Sequence, residues 1–187
     1  TLPEAAVMNP ASRFSTKLVR SITEDSKGNL WFGNDGLGVV IFDGENFKHL
    51  TKKDGLGGNQ VVCIVEDSSG NMWFGSMFGG LSSYDGKNFT NFNVENGDIG
   101  NNEVWNVFED SKGLIWFASE GFGVYRYDGK YIVNFDEKRG LRSKAVQVIY
   151  EDREGRIWAG GYMGLYLFDG VHEFINVRKT GPWTWGC

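Results

Sequence analysis

The chain has 187 residues with 14 Phe, 7 Tyr, 7 Trp and 27 Gly but only 3 Pro, and its formal net charge is −5. So many aromatic residues exclude a disordered chain, and the length suits one domain that folds without a metal or disulfide staple. The chain is acidic overall and its sequence shows no basic patch, which argues against a nucleic-acid partner or binding to an anionic membrane surface.

The most informative feature of the sequence is an internal repeat of about 42 residues. A Glu-Asp pair, a Trp seven residues after the Glu, and a later Asp-Gly pair recur in one frame. The copies are Glu24-Asp25, Glu66-Asp67, Glu109-Asp110 and Glu151-Asp152; Trp31, Trp73, Trp116 and Trp158; and Asp43-Gly44, Asp85-Gly86, Asp128-Gly129 and Asp169-Gly170. This pattern predicts four structural units, at about 13–54, 55–97, 98–139 and 140–180.

In chain order, the first unit predicts four short strands separated by turn residues. Val19–Thr23 alternates in polarity and ends at a turn rich in Ser, Gly and Asn. Leu30–Phe32 is a short apolar run, so both of its faces should be covered. Gly38–Phe42 is closed by Asp43-Gly44, a strong hairpin signal, and Asn46–Leu50 follows as the fourth strand.

Four strands in about 42 residues are typical of a propeller blade. We therefore predict an all-β fold, a single β-propeller domain over residues 1–187 with four four-stranded blades. Residues 181–187 are either the start of a truncated fifth unit or part of a clasp that closes the ring. In the second case, residues 1–12 and 178–187 pair to form a partial blade or a strand clasp. Four blades close alone, or the chain is a fragment of a larger ring; Trp183 and Trp185 are expected to pack at the seam.

The repeated motif also carries a family resemblance. The run Ile-x-Glu-Asp-x-x-Gly-Asn-Leu-Trp-Phe-Gly, followed by Gly-[Leu/Val]-x-x-Tyr-Asp-Gly, resembles the two-component regulator propeller repeat across residues 13–177. That repeat occurs in extracytoplasmic sensor regions of bacterial hybrid histidine kinases and in some secreted proteins. The resemblance implies a periplasmic or extracellular location, and a histidine kinase or further propeller blades as partners. Family sensors usually carry many more blades than four.

The repeated residues are predicted to be structural. The four tryptophans, Trp31, Trp73, Trp116 and Trp158, should fill the space between blades, and the four turn aspartates, Asp25, Asp67, Asp110 and Asp152, should accept backbone N–H bonds within their turns. The spacing resembles the Asp-box turn of sialidase-type propellers with one residue added. Calcium in these turns and catalytic carboxylate pairs are the alternatives.

Function is expected where the frame repeats and the side chains differ. In a propeller, the loops between second and third strands and the loops that enter the innermost strand share one face. Their candidate ligand-binding residues are Phe78, Phe122, Tyr162, Asn59, Gln60, Asn102, Glu103 and Lys144, together with Trp105 and Arg20 on the inner strands. Aromatic platforms beside amides and charges suit a small polar ligand such as a glycan. Alternatively, the aromatic rings only cap the core, and Trp105 and Arg20 only plug the channel.

The sequence contains no recognisable grouping of residues for catalysis, cofactor binding or metal binding. His49 and His172 fall on or beside the outermost strands, and no cluster has zinc-ligand spacing. Cys63 lies in an apolar inner strand and is expected to be inert. We therefore predict a non-catalytic ligand-binding or sensory module with no cofactor. Two alternatives remain: a propeller lyase-type enzyme that uses Glu103 or Glu120 at the channel mouth, and an interaction scaffold that forms a homo-oligomer through its open seam.

Overall fold

The computed structural model describes residues 18–143 and 145–177 and places them in four antiparallel sheets of four strands each. The sheets are numbered here as blades 1 to 4. Blade 1 contains β1 (Val19–Glu24), β2 (Leu30–Asn34), β3 (Gly38–Phe42) and β4 (Phe47–Leu50); blade 2 contains β5 (Gln60–Glu66), β6 (Met72–Met77), β7 (Gly80–Tyr84) and β8 (Phe89–Phe92). Blade 3 contains β9 (Val104–Glu109), β10 (Ile115–Ser119), β11 (Gly123–Tyr127) and β12 (Ile132–Phe135); blade 4 contains β13 (Val146–Glu151), β14 (Ile157–Gly161), β15 (Gly164–Phe168) and β16 (Phe174–Asn176). The predicted all-β propeller architecture is confirmed.

Within each blade the strands pair in chain order, and the first strands lie innermost. β1 packs against β5, β5 against β9, and β9 against β13, whereas the fourth strands make their extended contacts only with the third strands of their own sheets. The blades therefore converge at their first strands, as in a propeller. Two 3₁₀ turns, Lys52–Asp54 and Glu137–Arg139, precede blades 2 and 4. Among the described residues, no helix is long and apolar enough to cross a lipid bilayer.

The turn between the first and second strands is held by its aspartate. In blade 3, Oδ1 of Asp110 accepts the backbone N–H groups of Lys112 and Leu114 at 2.9 Å each, and Oδ2 accepts Nε1–H of Trp116 at 2.7 Å. Gly113 completes the turn with φ +79°, a conformation that favours glycine. The other blades repeat the bond from the Trp indole to the turn Asp at 2.7–2.8 Å. One carboxylate thus joins the turn to the Trp side chain that packs beneath it.

Three apolar clusters lie between successive blades. Each is built from the Trp-bearing face of one blade, called here its trailing face, and the opposite or leading face of the next blade. Trp31 packs with Ile64 and Phe74 of blade 2, and Trp73 packs with Phe117 of blade 3. The third cluster joins Trp116 to the Phe, Tyr and Ile side chains of blade 4. Burial of these faces is the main driving force for stacking the blades.

A carboxylate clasp reinforces each of these three junctions. The residue after the turn Asp is a Ser in blades 1 to 3, and its backbone N–H and Oγ–H both donate to the Glu that ends the first strand of the next blade. The pairs are Ser26 with Glu66, Ser68 with Glu109 and Ser111 with Glu151, at 2.6–2.7 Å. The repeated Glu therefore ties neighbouring blades together, a role that the sequence pattern did not indicate.

The described blades form an open series, because no strand of blade 4 makes an extended contact with blade 1 within the described residues. The predicted closing clasp or fifth unit at 181–187, with Trp183 and Trp185, lies outside the described residues. The second strands are buried along their length in blade 3 and nearly so in blade 2, as expected for sheets covered on both faces. In β2 of blade 1, Leu30 and Phe32 are half-buried.

Candidate functional site

The two sets of variable loops meet at one end of the blades, called here the loop face. The N–H groups of Gly36 and Gly38, at the turn between β2 and β3, donate to the carbonyl of Asn59 in the loop that enters blade 2, at 2.9 and 2.8 Å. Gly80 makes the same bond to the carbonyl of Asn102 at 2.8 Å. These backbone bonds hold the loops of neighbouring blades together, so that variable side chains project from a fixed support.

Three exposed aromatic rings project from equivalent loops of successive blades. Phe78 in blade 2, Phe122 in blade 3 and Tyr162 in blade 4 have exposed fractions of 65%, 46% and 79%. Phe78 adopts φ +66°, an uncommon conformation for a bulky residue. Phe122 lies directly against Gly100, where any added Cβ would overlap its ring. The loop that enters blade 3 therefore supports the Phe122 platform from beneath.

A cleft of about 370 Å³ opens beside the Phe122 ring. Its floor includes Leu141 and Ser143 of the loop that enters blade 4, and its rim carries Asp136, Glu137 and Lys138. This volume lies within the range of small-molecule pockets, and the apolar floor with a charged rim suits a ligand that has an apolar and a polar side. Lys144, the predicted cationic member of the site, lies outside the described residues.

Two of the predicted polar site residues, Asn59 and Asn102, make hydrogen bonds that hold the chain between blades. Oδ1 of Asn59 accepts the backbone N–H of Lys52, and Oδ1 of Asn102 accepts that of Val94, each at 2.9 Å. The amide of Asn102 also donates to Glu95 at 3.1–3.2 Å. These asparagines fasten the chain between consecutive blades, a structural role that sequence reasoning missed.

A charged bridge joins blades 1 and 2 at the loop face. Asp35 accepts Nη2–H of Arg20 at 2.9 Å through Oδ2 and the Nε2–H of Gln60 at 2.6 Å through Oδ1. Arg20 and Gln60 were both predicted as site residues, and Asp35 brings them together. The turn loop that contains Asp35 was identified in the sequence, but nothing local indicated this partner set.

The most variable inner-strand position coincides with a β-bulge in all four blades. The strand register shifts around Arg20, Val62, Trp105 and Gln147, each four residues before the repeated Glu. A bulge re-aims the extra side chain and is common beside functional sites. Trp105 is half-buried, and its buried Nε1–H has no hydrogen-bond partner among the described residues. The bulge thus leaves the variable residue unpaired, so its side chain does not follow the regular alternation of side chains between the two faces of the inner strand.

Glu103 and Glu120, the carboxylates required by the lyase alternative, lie on adjoining loops of blade 3. The N–H of Glu120 donates to the carbonyl of Glu103 at 2.9 Å, and both residues are half-buried. The two histidines lie elsewhere. His49 is in β4, and the backbone N–H of His172 donates to Asp169 in the outer hairpin of blade 4.

The opposite end of the blades carries a second cleft, of about 360 Å³, between blades 2 and 3. Its carboxylates Asp67, Asp85 and Asp128 all accept backbone N–H groups of their own turns. Burial by itself would raise the pKa of Asp67, but hydrogen bonds from Trp73 and Asn71 lower it below its usual value. These oxygens face N–H donors, an arrangement unsuited to calcium, and the described residues contain no group of three or more His, Cys, Asp or Glu side chains that could hold a metal ion.

Cys63 lies on the inner strand of blade 2, next to Gly75 of the same blade, and packs against the apolar cluster that contains Val104 of blade 3. An added Cβ on Gly75 would overlap Sγ of Cys63 and approach the Val104 carbonyl. Burial raises the pKa of the Cys63 thiol to about 12, so that the thiolate is scarce at neutral pH.

These features define the class of the protein as a β-propeller of repeated Asp-turn blades, with a conserved-geometry frame and a variable loop face. The repeat profile of the two component regulator propeller matches four times, at residues 13–36, 55–78, 98–121 and 140–163, just over half of the chain. The chain belongs to the two component regulator propeller family. No match was found among curated protein sequences.

Several solved structures share the fold. The extracellular domain of a putative hybrid two component system from B. thetaiotaomicron is 20% identical with a TM-score of 0.68, over 87% of this chain and 24% of that one. Virginiamycin B lyase from Staphylococcus aureus is 15% identical with a TM-score of 0.65, over 82% of this chain and 53% of that one. PorZ, a surface component of the type-IX secretion system of Porphyromonas gingivalis, is 18% identical with a TM-score of 0.65, over 88% and 28%. The chain thus spans about a quarter of the B. thetaiotaomicron structure, and these likenesses concern the fold alone.

Proposed function

We propose that the chain is a non-catalytic, ligand-binding part of an extracytoplasmic sensor, and that it binds a small polar ligand with an apolar face, such as an oligosaccharide, on the loop face. The observation that carries this proposal is the row of exposed rings, Phe78, Phe122 and Tyr162, on equivalent loops of three blades. Exposed aromatic rings leave part of their apolar surface in water in the apo protein, and they offer flat stacking surfaces to sugar rings.

The cleft beside Phe122 supports the same conclusion. It combines the apolar Leu141 side chain with the polar Ser143 and the charged rim residues Asp136 and Lys138. A ligand that bridges this cleft and the Tyr162 loop contacts two blades, so its binding free energy favours one relative orientation of those blades. In a sensor, such a bias passes to the next part of the protein, for which the family suggests a histidine kinase. The extracellular setting of the B. thetaiotaomicron structure supports a periplasmic or extracellular location.

The test is a screen of neutral and acidic oligosaccharides against the full chain by isothermal titration calorimetry. For any sugar that binds, Phe122→Ala and Tyr162→Ala should each raise the dissociation constant about tenfold, the typical effect of truncating a central aromatic contact. Tyr131→Ala is the matched control, because this tyrosine is also exposed, at 60%, but lies in the β11–β12 hairpin at the opposite end of the blade. Equal effects of Tyr131→Ala and Tyr162→Ala would refute the choice of face.

The same experiment distinguishes binding from catalysis. Mass spectrometry should show that the recovered sugar has its original mass, because a site that only binds releases its ligand chemically unchanged. The lyase alternative rests on the adjoining Glu103 and Glu120. Conversion of the sugar, abolished by Glu103→Gln or Glu120→Gln, would replace the proposed binding function with an enzymatic one.

A further inference from the structure

The cleft of about 360 Å³ between blades 2 and 3 opens where blade 2 has short side chains and the other blades have long ones. On the third strand, the residue paired with the repeated Trp is Ser83 in blade 2. Its counterparts in the other blades are Ile41, Arg126 and Leu167. On the fourth strand, Thr90 pairs with Ser83, and its counterparts are Lys48, Val133 and Ile175. The cleft is therefore a property of the blade 2 sequence, and the frame that all four blades share does not require it.

Arg126 fills the same position one blade further on. Its guanidinium carbon lies 5.6 Å from the ring centroid of Trp116 and 5.6 Å from that of Phe135. Both distances are within the range of a cation–π contact. Backbone N–H groups of its own turn lower the pKa of Asp128 most, and the positive charge of Arg126 lowers it further. A guanidinium at this position thus lies near two aromatic rings and the carboxylate of the outer hairpin.

Blade 2 keeps the two rings but has a short serine in place of the arginine. Trp73 and Phe92 are the counterparts of Trp116 and Phe135, and they are 4% and 8% exposed against 1% and 0%. Tyr127 of blade 3 adds a third ring, whose centroid lies 5.9 Å from that of Trp73 and 5.0 Å from that of Phe92. All three rings line the cleft. Replacement of the arginine by serine therefore leaves ring surface accessible to solvent.

The rest of the cleft is acidic. Its lining includes Asp67, Asp85, Glu109 and Asp128, and none of the described residues that line it is Lys, Arg or His. Oδ1 of Asp85 and Oδ1 of Asp128 each accept two backbone N–H groups, whereas Oδ2 of Asp128 accepts no hydrogen bond from the described residues. Oδ2 of Asp85 accepts only the side-chain amide of Asn88, at 3.3 Å. These second oxygens are available to a further N–H donor.

We propose that this cleft binds the guanidinium group of a ligand, with the cation against its three rings and with N–H groups donated to Asp85 and Asp128. A guanidinium suits the site better than an ammonium ion, because it is planar, weakly hydrated and stacks on aromatic rings. The cleft lies at the opposite end of the blades from the loop face. The guanidinium site is therefore separate from the proposed oligosaccharide site and does not depend on it.

Two ligands of the same shape test the need for the charge. Butylguanidinium and the uncharged N-butylurea are titrated into the full ¹⁵N-labelled chain, and NMR spectroscopy follows the indole N–H signal of Trp73, assigned with Trp73→Phe. Butylguanidinium should shift this signal saturably with a dissociation constant in the millimolar range, because cation–π contacts and exposed ion pairs are each weak. N-butylurea should bind about tenfold more weakly or not at all. Equal binding of the two ligands, or no saturable shift by butylguanidinium up to about 50 mM, would overturn the proposal.

Ser83→Arg tests the location, because it fills the site with a guanidinium of the chain itself, as Arg126 does in blade 3. It should weaken the binding of butylguanidinium about tenfold or more. Leu167→Arg is the matched control, since it adds the same charge at the equivalent position of blade 4, and it should change the affinity by less than about twofold. Thr90→Lys, which copies Lys48 of blade 1 at an exposed position, should also block the cleft, so the test does not depend on the folding of one variant. Binding that survives both substitutions in blade 2 would refute the location.

The reverse substitution should open a second site. Arg126→Ser removes the guanidinium from the rings of Trp116 and Phe135, so butylguanidinium should then shift the indole signal of Trp116 as well as that of Trp73. A Trp116 signal that does not respond would contradict the equivalence of the two positions.

A peptide distinguishes the two sources of a guanidinium group, a free small molecule and an Arg side chain of a partner protein. The probe is acetylated Gly-Arg-Gly amide, titrated against the same Trp73 signal. Tighter binding of the peptide than of butylguanidinium assigns the site to an Arg side chain of a partner. Weaker binding of the peptide assigns it to a free guanidinium compound.

Discussion

Substitution of Asp110 by Ala should destabilise the protein strongly, because this turn carboxylate is buried and holds a buried tryptophan. Asp110 is 7% exposed and accepts three hydrogen bonds, from the N–H groups of Lys112 and Leu114 and from Nε1–H of Trp116. The Trp116 indole is 1% exposed, so its N–H has no access to water once the carboxylate is removed. An unsatisfied buried donor costs about 1–3 kcal/mol, and each half-exposed backbone bond is worth about 1 kcal/mol.

Together these contributions predict a loss of about 3–5 kcal/mol in the free energy of unfolding for Asp110→Ala. With a urea m-value of about 2 kcal/mol per M, the unfolding midpoint should fall by about 1.5–2.5 M. Tryptophan fluorescence and far-UV circular dichroism during urea titration measure the midpoint, and their coincidence checks that the transition is two-state.

The matched control is Asp152→Ala in blade 4. Asp152 accepts the same backbone bonds, the Nε1–H of Trp158 at 2.7 Å and, in an exposed ion pair worth little, the Nε–H of Arg156 at 2.6 Å. Trp158 is only half-buried, so water reaches its N–H. The midpoint shift for this variant should be less than half of that for Asp110→Ala. Equal shifts would show that burial of the Trp N–H does not set the cost, and would refute the reasoning.

Two further predictions concern acid stability and thiol reactivity. The pKa of Asp67 is lowered in the folded state, so its stabilising contribution is complete above the pKa of the unfolded chain and is lost as the pH falls through the folded-state value. The stability difference between wild type and Asp67→Asn should therefore shrink from pH 5 to pH 2 in urea titrations, and a difference independent of pH would contradict this account. In a Cys187→Ser background, the half-buried Cys63 should react with Ellman's reagent much more slowly in the native protein than in denaturant, because burial raises its pKa to about 12; equal rates in the two states would contradict this account.

The fold could be predicted from the sequence because each blade is specified locally and four times. The Asp-Gly pairs mark the hairpins between third and fourth strands, and β3 spans Gly38–Phe42 as predicted. β4 begins at Phe47, one residue later than predicted, because the carbonyl of Asn46 accepts the N–H of Asp43 within the turn. Such differences of one or two residues at strand ends leave the topology unchanged.

The candidate site was only partly accessible to sequence reasoning. Phe122 and Tyr162 could be found from the sequence, because the repeats differ from one another at these loop positions and the difference is visible in the sequence itself. It could not reveal that Asn59 and Asn102 fasten the chain between blades, since their partners are seven or eight residues away in an irregular loop. Nor could it reveal that the variable Trp105 lies at a bulge, because a bulge depends on the pairing with the neighbouring strand.

The sequence by itself determined the four described blades, their strands and the turn aspartates, because each blade depends on residues within one repeat of about 42 positions. Tertiary structure decided what happens between repeats. The clasp from Ser68 to Glu109 joins residues 41 positions apart, so it forms only when blades 2 and 3 stack. Contacts within a strand or turn are encoded in neighbouring letters, whereas contacts between blades exist only once the apolar faces have packed together.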